Sequence, residues 1–189
     1  PTMRSLMIHY NPLCISQAEL KKFITPLLGR EFTLNDDIIR WRIPVCYENE
    51  YAPDIDDVSR SLKVSTSEII KQHTSVELEV FMMGFLPGFP YLGLLPEVFD
   101  LPRRVEPRVH VPPRSISVAA RQTTIYTIDS PGGWHLIGQT PVDFYDPNRE
   151  NPVLVKAGDK VSFFAIDSKE YPAVRRALKA DEYPLIMDC

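Results

Sequence analysis

Two dense Gly/Pro blocks constrain this chain more than any other feature. They are Gly-Phe-Leu-Pro-Gly-Phe-Pro-Tyr-Leu-Gly at 84–93 and Ser-Pro-Gly-Gly-Trp-His-Leu-Ile-Gly-Gln-Thr-Pro at 130–141. Proline fixes φ at roughly −65° and glycine opens conformations that other residues avoid, so such blocks set the shape of a surface rather than fill a core. Between them lie an arginine-proline run and the strand-like Gln122–Tyr126. The chain has 18 prolines in 189 residues, about twice the usual share, and their clustering in the middle calls for short elements and turns.

An apolar fraction of 44% and a charged fraction of 24% are those of a soluble globular protein, with length for one large domain or one domain and a smaller companion. The net charge of −4 lacks the basic footprint of a nucleic-acid binder. Cys14, Cys46 and Cys189 have no CxxC spacing, which argues against a disulfide framework or a zinc site and for a reducing compartment. No histidine pair has HExxH spacing, so no metal site is expected. The uncharged stretch 80–96 is broken by Pro87, Pro90 and Pro96 and is too short to span a bilayer. A cytoplasmic protein is the expectation.

Residues 5–10 have the pattern of a strand. Ser16 with Glu19 forms a capping box, and Leu20, Phe23, Ile24, Leu27 and Leu28 follow the spacing of a buried helix face that Gly29 ends. A second domain begins with a strand over 38–47. Asp54 is expected to cap a helix to Leu62, and Ser65 with Glu68 a second helix to His73, making a helical hairpin at 54–74. Short runs rich in Val, Ile, Phe, Tyr and Thr follow at 77–85, 115–119, 123–128, 134–137 and 160–164, the spacing of an all-β barrel or sandwich. Ser130–Gly133 and Lys156–Asp159 are expected as turns, and 174–180 as a closing helix.

An aromatic-lined rigid surface flanked by arginines fits a small, partly anionic molecule. Phe85, Phe89 and Tyr91 are its candidate apolar wall, although aromatics more often serve as core. The Gly84–Phe85 and Gly88–Phe89 amides are candidate donors to an oxyanion. Arg108, with Arg103 beside it, is placed for a carboxylate or phosphate through the planar guanidinium fork. Gln122 both donates and accepts, which suits an amide or lactam. His73 is a candidate proton shuttle, against the plainer reading that the helix dipole favours histidine at that end. No Ser/His/Asp order, nucleophile elbow or GxxxxGK[ST] loop is present.

Ile43-Pro-Val-Cys-Tyr47, Pro53-Asp-Ile55, His73-Thr74, Met83–Gly93, Pro102-Arg103, Pro107-Arg108, Val111-Pro112, Gln122-Thr123, Ile125-Tyr126, Ser130–Trp134, Leu136-Ile-Gly138, Thr140-Pro141 and Asp146-Pro147 occur in order. From about residue 5 to about residue 170 they resemble the family known as allophanate hydrolase subunit 1, KipI or the B component of 5-oxoprolinase. The resemblance implies a mainly β fold with an α+β part: a cyclophilin-like β-barrel over 40–189, preceded by a truncated small α+β domain over 1–39. It also implies work with an allophanate hydrolase subunit 2-like partner and ATP, most like the opening of 5-oxoproline to glutamate. Allophanate hydrolase or urea carboxylase subunit 1 and a KipI-like histidine kinase inhibitor are the alternatives. Ala120 and Thr124, and Arg114 after Val111-Pro-Pro113, stand where the family commonly has glycine. Gln139 replaces an arginine, which weakens an anion site on that side unless Arg114 or Arg121 replaces its charge.

Overall fold

The computed structural model describes residues 2–28 and 38–185. The chain divides into two compact units, Pro1–Ile38 and Ile39–Cys189.

In the first unit, α1 (Gln17–Ile24) starts at the expected capping box: Ser16 Oγ accepts from the Glu19 amide at 3.3 Å, and the Glu19 carboxylate accepts from the Ser16 amide at 3.0 Å. Pro26 follows in a 3-10 turn, Thr25–Leu27, and the expected stop at Gly29 lies outside the described residues. Two expectations are corrected. Residues 5–10 form no strand, because no second strand exists among residues 2–28 to complete a ladder. The apolar stripe of α1 is not buried, with Phe23 and Leu28 each 70% exposed, because an amphipathic helix buries its stripe only against a facing layer.

The second unit is mainly β, as expected. Seven strands close a barrel in the order β1 (Arg40–Cys46), β8 (His135–Gln139), β5 (Ser115–Ala119), β6 (Gln122–Ile125), β3 (Pro90–Gly93), β2 (Glu77–Met83) and β9 (Lys160–Ile166). β1 runs parallel to β9 and the other pairs are antiparallel. Alternation fills the interior: Trp41, Ile43 and Val45 of β1 meet Val161 and Phe163 of β9, Val80, Leu92, Ile116, Val118 and Ile125. Helices α2 (Ile55–Leu62) and α3 (Thr66–Thr74) contribute Ile55, Val58, Ile69 and His73 to the buried set, and α4 (Glu170–Lys179) contributes Tyr171.

A two-stranded ribbon, β4 (Arg108–Val111) with β7 (Ser130–Gly132), lies outside the barrel ladder. Ser130–Gly133 is therefore not the turn expected of it. Pro131 needs no ladder hydrogen bond at the exposed edge, so the Ser-Pro-Gly sequence is compatible with a short strand that only the partner β4 reveals.

Candidate functional site

The first Gly/Pro block closes on itself. Gly84 N–H donates to Phe89 O at 3.1 Å, Leu86 N–H to Gly84 O at 2.9 Å, and Phe89 N–H to Leu86 O at 3.2 Å. The Gly84 and Phe89 amides are thus used within the loop and are not free for an oxyanion. Gly88 sits at φ +69°, and a Cβ there would meet Tyr145 Cβ at 3.0 Å and Phe144 O at 3.1 Å, so glycine is required. Thr127 Oγ1 donates to Pro87 O at 2.7 Å and ties the loop down.

This loop delivers Phe85, Phe89 and Tyr91 to one aromatic cluster. Phe89 is buried and meets Phe85 edge-on at 5.4 Å, Tyr91 at 5.1 Å and Tyr126 edge-on at 5.1 Å. Tyr91 continues to Trp134 at 6.0 Å, and the Arg103 guanidinium lies over the Trp134 ring at 5.5 Å. Val111 and Leu136 fill the space beneath. Phe85, 62% exposed, is the outermost ring. Four of the residues expected from the sequence therefore come together, joined by Tyr126 and Trp134, which the sequence reading did not single out. Burial pushes the Tyr126 phenol up to about 12. It also raises Tyr91, which the nearby Arg103 charge pulls the other way. Both hydroxyls therefore stay protonated donors at neutral pH.

The arginine run divides by what each side chain holds. Asp54 is 1% exposed and does not cap α2 with its side chain. Its Oδ1 accepts from Arg104 Nη1 at 3.1 Å and Arg108 Nη2 at 2.5 Å, and its Oδ2 from Arg108 Nη1 and the Leu136 amide, both at 2.7 Å. Arg108, expected to take a substrate anion, is held in a bidentate pair instead. Arg103 has no acidic partner among the described residues. Asp54 lies in the quoted Pro53-Asp-Ile55 motif, but a position before an apolar helix reads locally as a cap. Its true partners are 50 to 82 residues away.

Gln122 does not join the aromatic cluster. Register pairs it with Gly93, and Tyr91 with Thr124, so by strand alternation Gln122 shares the face of Tyr91, two residues along. His73 is placed elsewhere. It is fully buried among the barrel residues, with Nδ1 2.7 Å from Tyr47 Oη, Nε2 3.1 Å from Thr123 Oγ1 and its ring stacked on Phe163 at 4.6 Å. Burial lowers its pKa to about 3, so the ring is neutral at physiological pH. It does not face the 84–91 loop.

A cleft of about 1370 Å³ shares only Gly88 with that loop, with Met83 of β2 beside it. Its carboxylates Asp143, Asp146 and Asp159 are each engaged. Asp143 pairs with Arg114 and Arg175, Asp146 with Arg149, and the Asp159 carboxylate accepts from Trp41 Nε1 and from the Ile39 and Lys156 amides. The unpaired cation over Trp134, not this cleft, marks the candidate site. Among the described residues no group of three His, Cys, Asp or Glu side chains could hold a metal ion, and no helix is long and apolar enough to cross a membrane.

Residues 1–155 match the family described as carboxyltransferase domain, subdomain C and D. The chain belongs to this family. Its relatives include the B component of 5-oxoprolinase from Bacillus subtilis, 40% identical over 148 residues, which cover 78% of this chain and 61% of that protein. The chain thus spans about six-tenths of that relative's length. Among solved structures, an uncharacterised Pyrococcus horikoshii protein is 38% identical with a TM-score of 0.68, covering 86% of this chain and 74% of that one. The K. lactis urea amidolyase shares the fold at a TM-score of 0.71 and 16% identity, covering 93% of this chain and 12% of that one.

Two departures from the family pattern have a backbone meaning. Arg114 and Ala120 both occupy left-handed conformations, at φ 70° and 48°, where glycine is at ease. Thr124 is different: it is buried, with its hydroxyl 3.0 Å from Ser117 Oγ. Arg114 pairs with Asp143 at 3.4 Å, so it does not stand in for the arginine replaced by Gln139.

Proposed function

We propose that this chain is one subunit of an ATP-dependent lactam hydrolase that opens 5-oxoproline to glutamate in the cytoplasm, together with a partner resembling allophanate hydrolase subunit 2. The observation that carries the reading is the unpaired Arg103 guanidinium over Trp134, at the edge of the face formed by Phe85 and Tyr91, with Phe89 buried behind them. The relative named as the B component of 5-oxoprolinase supports it.

5-Oxoproline has a small ring, one carboxylate and one lactam. The aromatic face takes the ring, Arg103 takes the carboxylate, and the Tyr91 hydroxyl donates a further hydrogen bond. Gln122 lies about 7 Å along the sheet from Tyr91, the span of two strand residues, and reads the lactam from that side. Arg108 drops out of the anion site because Asp54 holds it. His73 has a structural role, since a neutral ring with both nitrogens bonded inside the barrel has no path to a substrate.

A lactam is a resonance-stabilised amide, and ATP would supply activation of its oxygen. The described residues of this chain do not form a triphosphate cradle: the sequence lacks a GxxxxGK[ST] loop, and the Gly84 and Phe89 amides point into their own turn. ATP is therefore assigned to the assembled complex. This chain's share is to bind and orient the lactam and to shield it from water.

The test is to reconstitute the chain with its subunit 2-like partner and the third 5-oxoprolinase component, then measure glutamate release and ATP hydrolysis dependent on 5-oxoproline. Turnover that disappears when this chain is omitted supports the reading. A stable complex that leaves 5-oxoproline intact overturns it, and binding to a histidine kinase instead would give the chain a regulatory role.

A further inference from the structure

Resting on the reading of this face as the substrate site, we propose that Asp54 sets its anion selectivity. By holding Arg104 and Arg108, it leaves Arg103 as a single guanidinium suited to one carboxylate rather than to a doubly charged phosphate. The Asp54 carboxylate spends its hydrogen bonds on Arg104, Arg108 and the Leu136 amide, and it acts through the arginines.

The placement is built from three elements. Asp54 is fixed at the start of α2 by its own amide, which donates to Leu136 O at 2.9 Å, while its carboxylate accepts the Leu136 amide in return. The loop 102–108 is then pinned on both sides of Arg103. The Pro102 carbonyl accepts from His135 Nε2 at 3.0 Å, and the Arg104 amide donates to Gly133 O at 2.7 Å. Arg104 and Arg108 turn inward to Asp54, with about a quarter of each side chain exposed, and Arg103 turns outward over Trp134. Three guanidiniums sit on one short loop, and only one is available to a ligand. Without Asp54 all three would face an incoming anion, and a dianion gains more from added positive charge than a monoanion does.

Asp54→Asn is nearly isosteric and keeps an acceptor for the Leu136 amide while removing the charge. The chain is titrated at pH 8 with 5-oxoproline, propionate and inorganic phosphate, followed by the emission of the tryptophans, since Trp134 lies under Arg103, with thermal melts alongside. The wild type binds 5-oxoproline in preference to phosphate. Asp54→Asn is expected to lower that preference at least about tenfold, and Arg103→Gln to weaken 5-oxoproline at least about tenfold. A merely structural role for Asp54 would weaken both anions together. An unchanged ratio in Asp54→Asn, unchanged binding in Arg103→Gln, or no anion binding by the wild-type chain overturns the proposal.

Should Asp54→Asn fail to fold, Arg104→Gln and Arg108→Gln decide. With both arginines held by Asp54, each change alters 5-oxoproline affinity by no more than about twofold, and a loss of about tenfold in either overturns the assignment. If propionate shows the Asp54-dependent ratio while 5-oxoproline does not bind, the lactam reading fails and the selectivity role stands. If reconstituted turnover needs this chain but the ratio does not move in Asp54→Asn, the reverse holds.

Discussion

Acid should destabilise this fold through one residue, His73. Its ring is fully buried, shared between Tyr47 and Thr123 and stacked on Phe163, and burial pushes its pKa from 6.5 down to about 3. The unfolded chain takes up a proton at this ring near pH 6.5, whereas the folded chain refuses one until near pH 3. Between those values the unfolded state binds more protons, so stability falls as pH falls. From pH 7.5 to pH 5 the linkage relation gives a loss of about 2 kcal/mol, and one pKa unit corresponds to about 1.4 kcal/mol. His73→Gln keeps an amide that both donates and accepts but has no charge to gain. At pH 7.5 the variant is expected to be less stable by about 1–3 kcal/mol for its disturbed hydrogen bonds and lost ring stacking. The wild type's lead should then shrink by about 2 kcal/mol on going to pH 5. Urea unfolding of both proteins, followed by circular dichroism at about pH 7.5, 6.5, 5.5 and 5.0, measures the difference. His9, His110 and His135 are present in both proteins and cancel in it. Parallel stability curves would refute the reasoning.

Other substitutions separate backbone, core and ligand effects. Gly132→Ala places a Cβ 2.1 Å from Tyr126 Oη, so a loss of about 1–3 kcal/mol in chemical denaturation is expected, with the Tyr126 ring displaced. Ala120→Gly relieves a left-handed backbone in the β5–β6 hairpin, where Ala120 and Arg121 have φ of 48° and 60°, and should raise stability by about 0.5–1 kcal/mol; no gain in Tm would count against that reading of the turn. Phe89→Ala empties a buried site and should cost about 3–5 kcal/mol, whereas Phe85→Ala, at an exposed ring, should change stability by less than about 0.5 kcal/mol yet weaken 5-oxoproline turnover in the reconstituted complex.

What could be read from the sequence was local. Strands β1, β2, β5, β6, β8 and β9 show themselves as short runs rich in β-branched and aromatic residues between turn residues, and the Ser16 box by a four-residue motif. That Phe85, Phe89, Tyr91 and Arg103 lie close together was legible because the Gly/Pro block and the arginine-proline run limit where those side chains can go. What depends on distant partners was not. Ser130–Gly132 becomes a strand only because Val111 and Arg108 pair with it, and Pro90–Gly93 is a strand inside a block that reads as turns. Asp54 looks like a helix cap until Arg104, Arg108 and the Leu136 amide reach it from far along the chain. Arg108 looked the better anion ligand for the same reason: sequence shows a guanidinium and hides the carboxylate that occupies it. His73 matched the pattern of a helix C-terminus, and only the packing of α3 against β9 turns that position into the interior.

In the proposed function, Arg103 over Trp134 receives the substrate's carboxylate. The direct measurement is the KM for 5-oxoproline of the reconstituted complex carrying wild-type or Arg103→Gln chain. Loss of a charge-assisted contact of about 1.5–3 kcal/mol predicts a rise in KM of about 10- to 150-fold, with the folded stability of the variant unchanged at this exposed side chain. A KM equal to that of the wild-type complex would contradict the account.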